Sequence, residues 1–142
     1  SAPAGMILIQ PDPADPPTLM GFISSDKKVA AYFGSNIFAG TPFEHAPALE
    51  ADIEITTSSD SASARITLGD HVIETTLSDL GTTELLKRDP SPHTPFTQNI
   101  LEAIAGSSSI TVDGQALDLT IPEIGISGGP GAVFAPVGLY AR

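Results

Sequence analysis

Alternating apolar and polar positions predict an antiparallel meander in the middle of the chain. Residues 49–57 place apolar side chains on one face and carboxylates on the other, a period of two that marks a half-buried strand. The alternation continues over residues 65–68 and 71–77. Gly69-Asp70 links these two segments and is typical of a type II′ hairpin turn. We therefore expect three paired strands over residues 49–77.

Shorter apolar runs predict further strands on both sides of this meander. They cover residues 6–10, 19–23, 29–33, 110–112, 117–121 and 132–140. We expect 19–23 and 29–33 to form one hairpin. Asp113-Gly114 favours a type I′ turn in a second hairpin. Pro136 assigns the last segment to a sheet edge, because proline cannot donate a ladder hydrogen bond.

One segment, residues 94–106, has the pattern of an amphipathic helix. Its apolar positions recur at helical intervals and are Phe96, Ile100, Leu101 and Ile104. Thr94 suits the N-cap, Pro95 the first helical position and Gly106 the C-terminal cap. We expect this helix to pack against the sheet, whereas residues 82–88 fit a helix or a strand equally well.

Together these elements predict a mainly β fold (α+β by count). We expect an antiparallel β-sandwich or partly open barrel of about eight strands, with one packed helix at 94–106. The chain has 142 residues, a common size for one domain, so we expect a single β-rich domain spanning 1–142.

Composition then narrows the classes of function. Seventeen acidic against six basic residues give a net charge of −11, which disfavours nucleic acid as a partner. The chain has no cysteine, so disulfides, thiolate catalysis and iron–sulfur clusters are excluded. No stretch approaches the roughly 20 apolar residues of a membrane-spanning helix. We expect no nucleic acid partner, no membrane span and no cofactor.

The first residues suggest where the protein acts. The chain begins Ser1-Ala2-Pro3-Ala4-Gly5, without an initiator methionine. Either a signal peptide or a tag has been removed, and small residues and proline at a new N-terminus fit a mature exported protein. We therefore expect an extracellular or periplasmic protein.

Two apparent motifs, one catalytic and one metal-binding, are better explained as ordinary structural features. Residues 125–129 have the letters of a G-x-S-x-G nucleophile elbow, but Pro130 follows and no histidine lies beyond His93. A glycine-rich turn is the better interpretation. The carboxylates at positions 50, 52 and 54 share one strand face, which alone cannot surround a Ca²⁺ ion. We expect a solvated face there and no metal site.

The best candidate ligand-binding residues lie in irregular segments. Phe38, Phe43 and His45 belong to a proline-containing stretch at residues 34–48, and His93 follows a second proline-rich break. Irregular segments carry binding residues more often than strands do. Aromatic rings and imidazoles that met there would line an apolar pocket with a few polar groups.

Two hypotheses of function follow. The first is a non-enzymatic protein, exported or associated with an assembly, that acts as an interaction or accessory subunit through a protein partner or self-assembly. It depends on the lack of a catalytic constellation and on long proline-rich segments that can reach a neighbour. The alternative is a small enzyme or ligand-binding β-barrel with a small-molecule ligand near Phe38, Phe43, His45 and His93.

Overall fold

The computed structural model describes residues 2–92, 95–123 and 131–141, with Val137 described by its backbone alone. Strands account for 53% of the structure and helix for 8%, which confirms the predicted mainly β class. The described residues form ten strands and one α-helix. Their bounds are β1 Ala4–Ile9, β2 Leu19–Ser24, α1 Lys27–Tyr32, β3 Ala48–Glu50, β4 Asp52–Thr57, β5 Ala62–Leu68, β6 His71–Leu80, β7 Glu84–Arg88, β8 Thr97–Val112, β9 Gln115–Ala116 and β10 Val133–Ala141.

The strands form two sheets. The smaller has the order β1-β2-β3, in which β1 and β2 are antiparallel and β2 and β3 parallel. The larger has the order β10-β8-β6-β5-β4, and β7 and β9 also pair with β8. β8 spans 16 residues. Its first part pairs with β7 and β10, and its second part pairs with β6 and β9.

The chain divides into two compact units. The first contains Ser1–Glu54 and Ile66–His71, and the second contains Ile55–Arg65 and Val72–Arg142. The single domain expected from the chain length stays a prediction.

Phenylalanines form the core of the first unit. Phe22 of β2 is 1% exposed, and its ring centroid lies 6.0 Å from that of Phe33 and 5.2 Å from that of Phe38. Phe33 ends α1 and starts a π-helical turn, Phe33–Ile37. Gly34 in this turn packs so closely on the Phe22 ring that a Cβ atom there would lie 2.5 Å from Cδ2. The close approach explains why this buried position holds a glycine.

The predicted hairpin arm at residues 29–33 is wrong, because α1 occupies this position. Asp26 is the N-cap, and its carboxylate accepts a hydrogen bond of 2.9 Å from the backbone N–H of Lys28. The bond satisfies one of the donors that a helix leaves free in its first turn. Ala30 is fully buried, so a short helix with a small residue on its inner face packs where a strand was expected.

The predicted helix at 94–106 is also wrong. Thr97–Val112 form strand β8, and Thr94 lies outside the described residues. Burial follows a period of two at the start of β8, where Gln98, Ile100 and Glu102 are buried. Pairing with a strand on each side satisfies the backbone of this segment, and these tertiary contacts override the helical spacing.

Local turn chemistry was predicted more successfully. Gly69 has φ of +59°, and Asp70 has an ordinary negative φ, as a type II′ turn between β5 and β6 requires. Asp113 and Gly114 both have positive φ, +51° and +80°, which is the type I′ geometry. The expected arm at 117–121 is irregular, however, and β9 has only two residues. β10 ends the larger sheet, as Pro136 indicated.

Candidate functional site

The candidate site is the part of the larger sheet formed by β7, β8 and β10, which we call the β7–β8–β10 sheet. Arg88 of β7 lies opposite Gln98 of β8, and Glu84 lies opposite Glu102. On the other side of β8, Tyr140 of β10 lies opposite Gln98. Directly opposed residues share a face, so all five of these polar side chains belong to the same face.

A buried ion pair lies on this face. Nη2 of Arg88 donates a hydrogen bond of 2.9 Å to Oε1 of Glu102, and the two side chains are 18% and 3% exposed. Arg88 is paired with Gln98, and Glu102 lies four residues farther along β8. The side chains of Arg88 and Glu102 therefore extend towards each other past the pair formed by Leu86 and Ile100, which lies between them. The guanidinium compensates the carboxylate, so the pair supplies no free general base and no free anion-binding cation.

Gln98 adds a second buried polar group to this face. It is 1% exposed, and its Nε2 has no hydrogen-bond partner among the described residues. A buried amide without a partner costs about 1–3 kcal/mol. Farther along β8, Oγ of Ser108 is also buried without a described partner. Inward-pointing polar groups of this kind restrict a sheet to one register, because a slip of one residue would separate Arg88 from Glu102.

The opposite face of the β7–β8–β10 sheet carries three leucines next to the polar pair Lys87 and Asn99. Leu85 of β7 lies opposite Leu101 of β8, and Leu139 of β10 lies opposite Asn99. Leu85 is 59% exposed and Leu139 is 68% exposed, while Leu101 on the central strand is half-buried. We call Leu85, Leu101 and Leu139 the apolar strip. It joins three leucines that are far apart in the sequence.

Charge is balanced in this sheet, unlike in the rest of the chain. Its three strands contain two acids, Glu84 and Glu102, and two bases, Lys87 and Arg88. The whole chain has a net charge of −11. β10 itself carries no charged residue. The acidic surface therefore lies elsewhere, and includes the exposed Glu50, Asp52 and Glu54.

The four predicted ligand-binding residues are placed as follows. The Phe38 ring packs on Phe22 and Phe33, at 5.2 Å and 5.4 Å between centroids. Phe43 is half-buried, and its backbone N–H donates to Oγ1 of Thr41. Thr41 in turn donates to the carbonyl of Phe38, which ties Phe38 and Phe43 into one segment. His93 lies outside the described residues.

His45 lies at the surface. Its side chain is 91% exposed, and Nε2 lies 3.1 Å from Oε1 of Glu44. The other carboxylate oxygen of Glu44 accepts a hydrogen bond of 2.7 Å from the backbone N–H of Gly40. The Glu44 carboxylate therefore contacts both the backbone of Gly40 and the exposed imidazole of His45.

Within the three described segments, acidic and histidine side chains do not gather in groups of three or more that could hold a metal ion. None of the described helical residues belongs to a helix with the length and apolar character that crossing a bilayer requires. The G-x-S-x-G letters at residues 125–129 lie outside the described residues.

The sequence analysis missed two features of the β7–β8–β10 sheet: its buried polar face and the exposed leucines on the opposite face. Gln98, Ile100 and Glu102 alternate, but polar residues at two of these three positions conceal the buried face. Leu85 and Leu139 can be recognised as neighbours only when the pairing of β7 and β10 with β8 is known. Comparisons with protein-family models, with curated proteins and with solved structures found no match.

Proposed function

We propose that this chain is a non-enzymatic interaction or accessory protein, exported or part of an assembly, that contacts its partner through the apolar strip. The observation that carries the proposal is the position of the three leucines on a charge-balanced sheet in a chain of net charge −11. Depletion of charged residues distinguishes the centre of a protein interface from the remaining surface. Single exposed leucines are common, whereas leucines that adjoin across three strands are a reason to expect a contact.

The buried face supports this proposal. The Arg88–Glu102 pair and Gln98 specify the register of β7 on β8, and the same register brings Leu85 beside Leu101. A contact surface built on paired strands is held rigidly, which reduces the entropy that binding must overcome. In this proposal the buried polar groups position the surface and take no part in chemistry.

The ligand-binding alternative has less geometric support. A pocket near Phe38, Phe43 and His45 needs the imidazole to face inward, and His45 is almost wholly exposed beside Glu44. The Phe38 ring is already engaged by two other rings. We therefore favour the interaction function.

The test is loss of association when charge is placed on the apolar strip. In extract from its native source, the tagged wild-type chain should migrate in a complex of fixed stoichiometry. The double variant Leu85→Lys/Leu139→Lys should lose this association at least about tenfold, because each buried ammonium lacks a partner.

Ile55→Lys is the matched control. Ile55 is an equally exposed apolar residue, 61% accessible, but belongs to β4. This variant should associate like the wild type. Association of the double variant at wild-type strength, or a wild-type chain that migrates alone, would contradict the proposal.

A further inference from the structure

Among the described residues of β7, β8 and β10, Lys87 is the single charge on the face of the apolar strip. It lies opposite Asn99 of β8, which in turn lies opposite Leu139 of β10. Leu85 is two residues earlier on β7 and therefore shares this face. The other face of the sheet holds the remaining three charges, which are Glu84, Arg88 and Glu102.

The ammonium group of Lys87 has no counterion in the described part of the chain. Lys87 is exposed, and none of the described residues forms an ion pair with it. The neighbouring Arg88, in contrast, lies 2.9 Å from Glu102. Asp89 follows the end of β7 and is the next acid along the chain, but it does not pair with Lys87. Lys87 therefore presents an uncompensated cation beside exposed leucines.

We propose that the apolar strip binds a surface of a different protein that places one carboxylate, set among apolar side chains, against Lys87. The inference rests on the proposed function and names the chemistry of the partner. Neighbouring residues on one face of a strand are about 7 Å apart, so a partner that covers Leu85 and Leu139 also covers Lys87. The ammonium then leaves water, which is costly unless an anion compensates it.

The net charge of the chain limits how acidic this partner can be. At −11, the chain repels a surface that is broadly acidic. A single carboxylate in contact with Lys87 gains from the nearby cation, whereas charges farther away than about 8 Å are screened at physiological salt. The same repulsion disfavours a second copy of this chain and an anionic membrane.

The alternative role for Lys87 is protection of the sheet. Lysine on an edge strand discourages pairing with other chains, and its long stem lets the ammonium group remain in water. A lysine with this role contributes nothing to association, so removing its charge would leave binding unchanged or strengthen it. The two roles therefore predict different effects of the same substitution.

The experiment measures association of the full chain with its complex in native extract for three variants of Lys87. Lys87→Met should weaken association at least about tenfold, because the partner's carboxylate is then buried without a cation. Lys87→Glu should weaken it further, and Lys87→Arg should associate like the wild type, because a guanidinium also pairs with a carboxylate. Lys28→Met, at an exposed lysine of α1, is the matched control and should also associate like the wild type. Circular dichroism verifies that each variant is folded.

A carbodiimide cross-link identifies the carboxylate directly. The reagent takes up the water that is lost when a lysine amine and a carboxylate in contact condense to an amide. Mass spectrometry of the wild-type complex should find Lys87 joined to an aspartate or glutamate of the partner. Lys87→Arg should abolish this cross-link while association persists, since the reagent does not couple a guanidinium. Replacing the identified carboxylate by lysine should restore binding to Lys87→Glu.

Two results would overturn this inference and leave the proposed function standing. One is a Lys87→Met variant that associates at wild-type strength although Leu85→Lys/Leu139→Lys loses association. The other is a cross-link from Lys87 to a carboxylate of a second copy of this chain. If the double leucine variant itself associates at wild-type strength, the proposed function fails and this inference fails with it.

Discussion

Replacing Arg88 by methionine is expected to lower the free energy of unfolding by about 3–5 kcal/mol, because it leaves a buried carboxylate without its partner. The Glu102 side chain is 3% exposed, and Arg88 is the group that donates to it, at 2.9 Å. Methionine keeps most of the volume of the arginine stem, so loss of the charge dominates over loss of packing. The measurement is urea unfolding at neutral pH, followed by circular dichroism.

The matched control is a second arginine in an exposed pair. Arg65 lies 3.8 Å from Glu74, and the two side chains are more than half exposed. Arg65→Met should therefore cost no more than about 1 kcal/mol. The double variant Arg88→Met/Glu102→Leu should recover to within about 2 kcal/mol of the wild type, since an apolar pair often replaces a buried ion pair without loss. Equal costs for Arg88→Met and Arg65→Met would show that the Arg88–Glu102 pair is not buried in solution.

Phe22→Ala is the second substitution with a large expected effect. Phe22 is the largest fully buried apolar side chain described, and two other phenylalanine rings and the backbone of Gly34 pack on it. Removing the ring should cost about 3–5 kcal/mol, from lost transfer free energy and the cavity that remains. The measurement is urea unfolding, in which the lower stability of Phe22→Ala appears as a lower midpoint concentration of urea.

Phe43→Ala serves as the comparison, because Phe43 lies in the same unit but is only half-buried. It should cost less than half as much as Phe22→Ala, since less of its surface leaves water on folding. If Phe43→Ala proved the more damaging of the two, the core of this unit would lie around the 38–46 loop instead of Phe22.

The turns of this fold could be predicted because their chemistry is local. Gly69-Asp70 and Asp113-Gly114 each contain residues that tolerate positive φ. A tight turn at such a dipeptide brings the two flanking strands into antiparallel pairing. The mainly β class came from the alternation around the first of these turns. In both cases the information lies within a few consecutive residues.

Elements that depend on distant pairing could not be predicted. Phe96, Ile100 and Ile104 have helical spacing, yet Ile104 is largely exposed in β8 while Gln98 is buried. The segment is a strand because it pairs with β7 and β10, and Glu102 is tolerated on its buried face because Arg88 comes from β7. Neither condition is visible within residues 94–106.

The helix α1 was missed for a different reason. Asp26 is a good N-cap, and Val29 and Phe33 are four residues apart, so a helical signal was present. The apolar run beside a predicted strand favoured a hairpin instead. A helix of six residues has little sequence pattern of its own, and its stability comes from packing.

If the β7–β8–β10 sheet makes the functional contact, amide hydrogen exchange should locate it directly. The comparison is between the isolated dilute chain and the chain in its native complex. We predict slower exchange for residues 84–88 and 133–141, with no change for residues 38–45, which contain three of the alternative ligand-binding residues. Slower exchange over residues 38–45, with 84–88 and 133–141 unchanged, would contradict an interaction through this sheet.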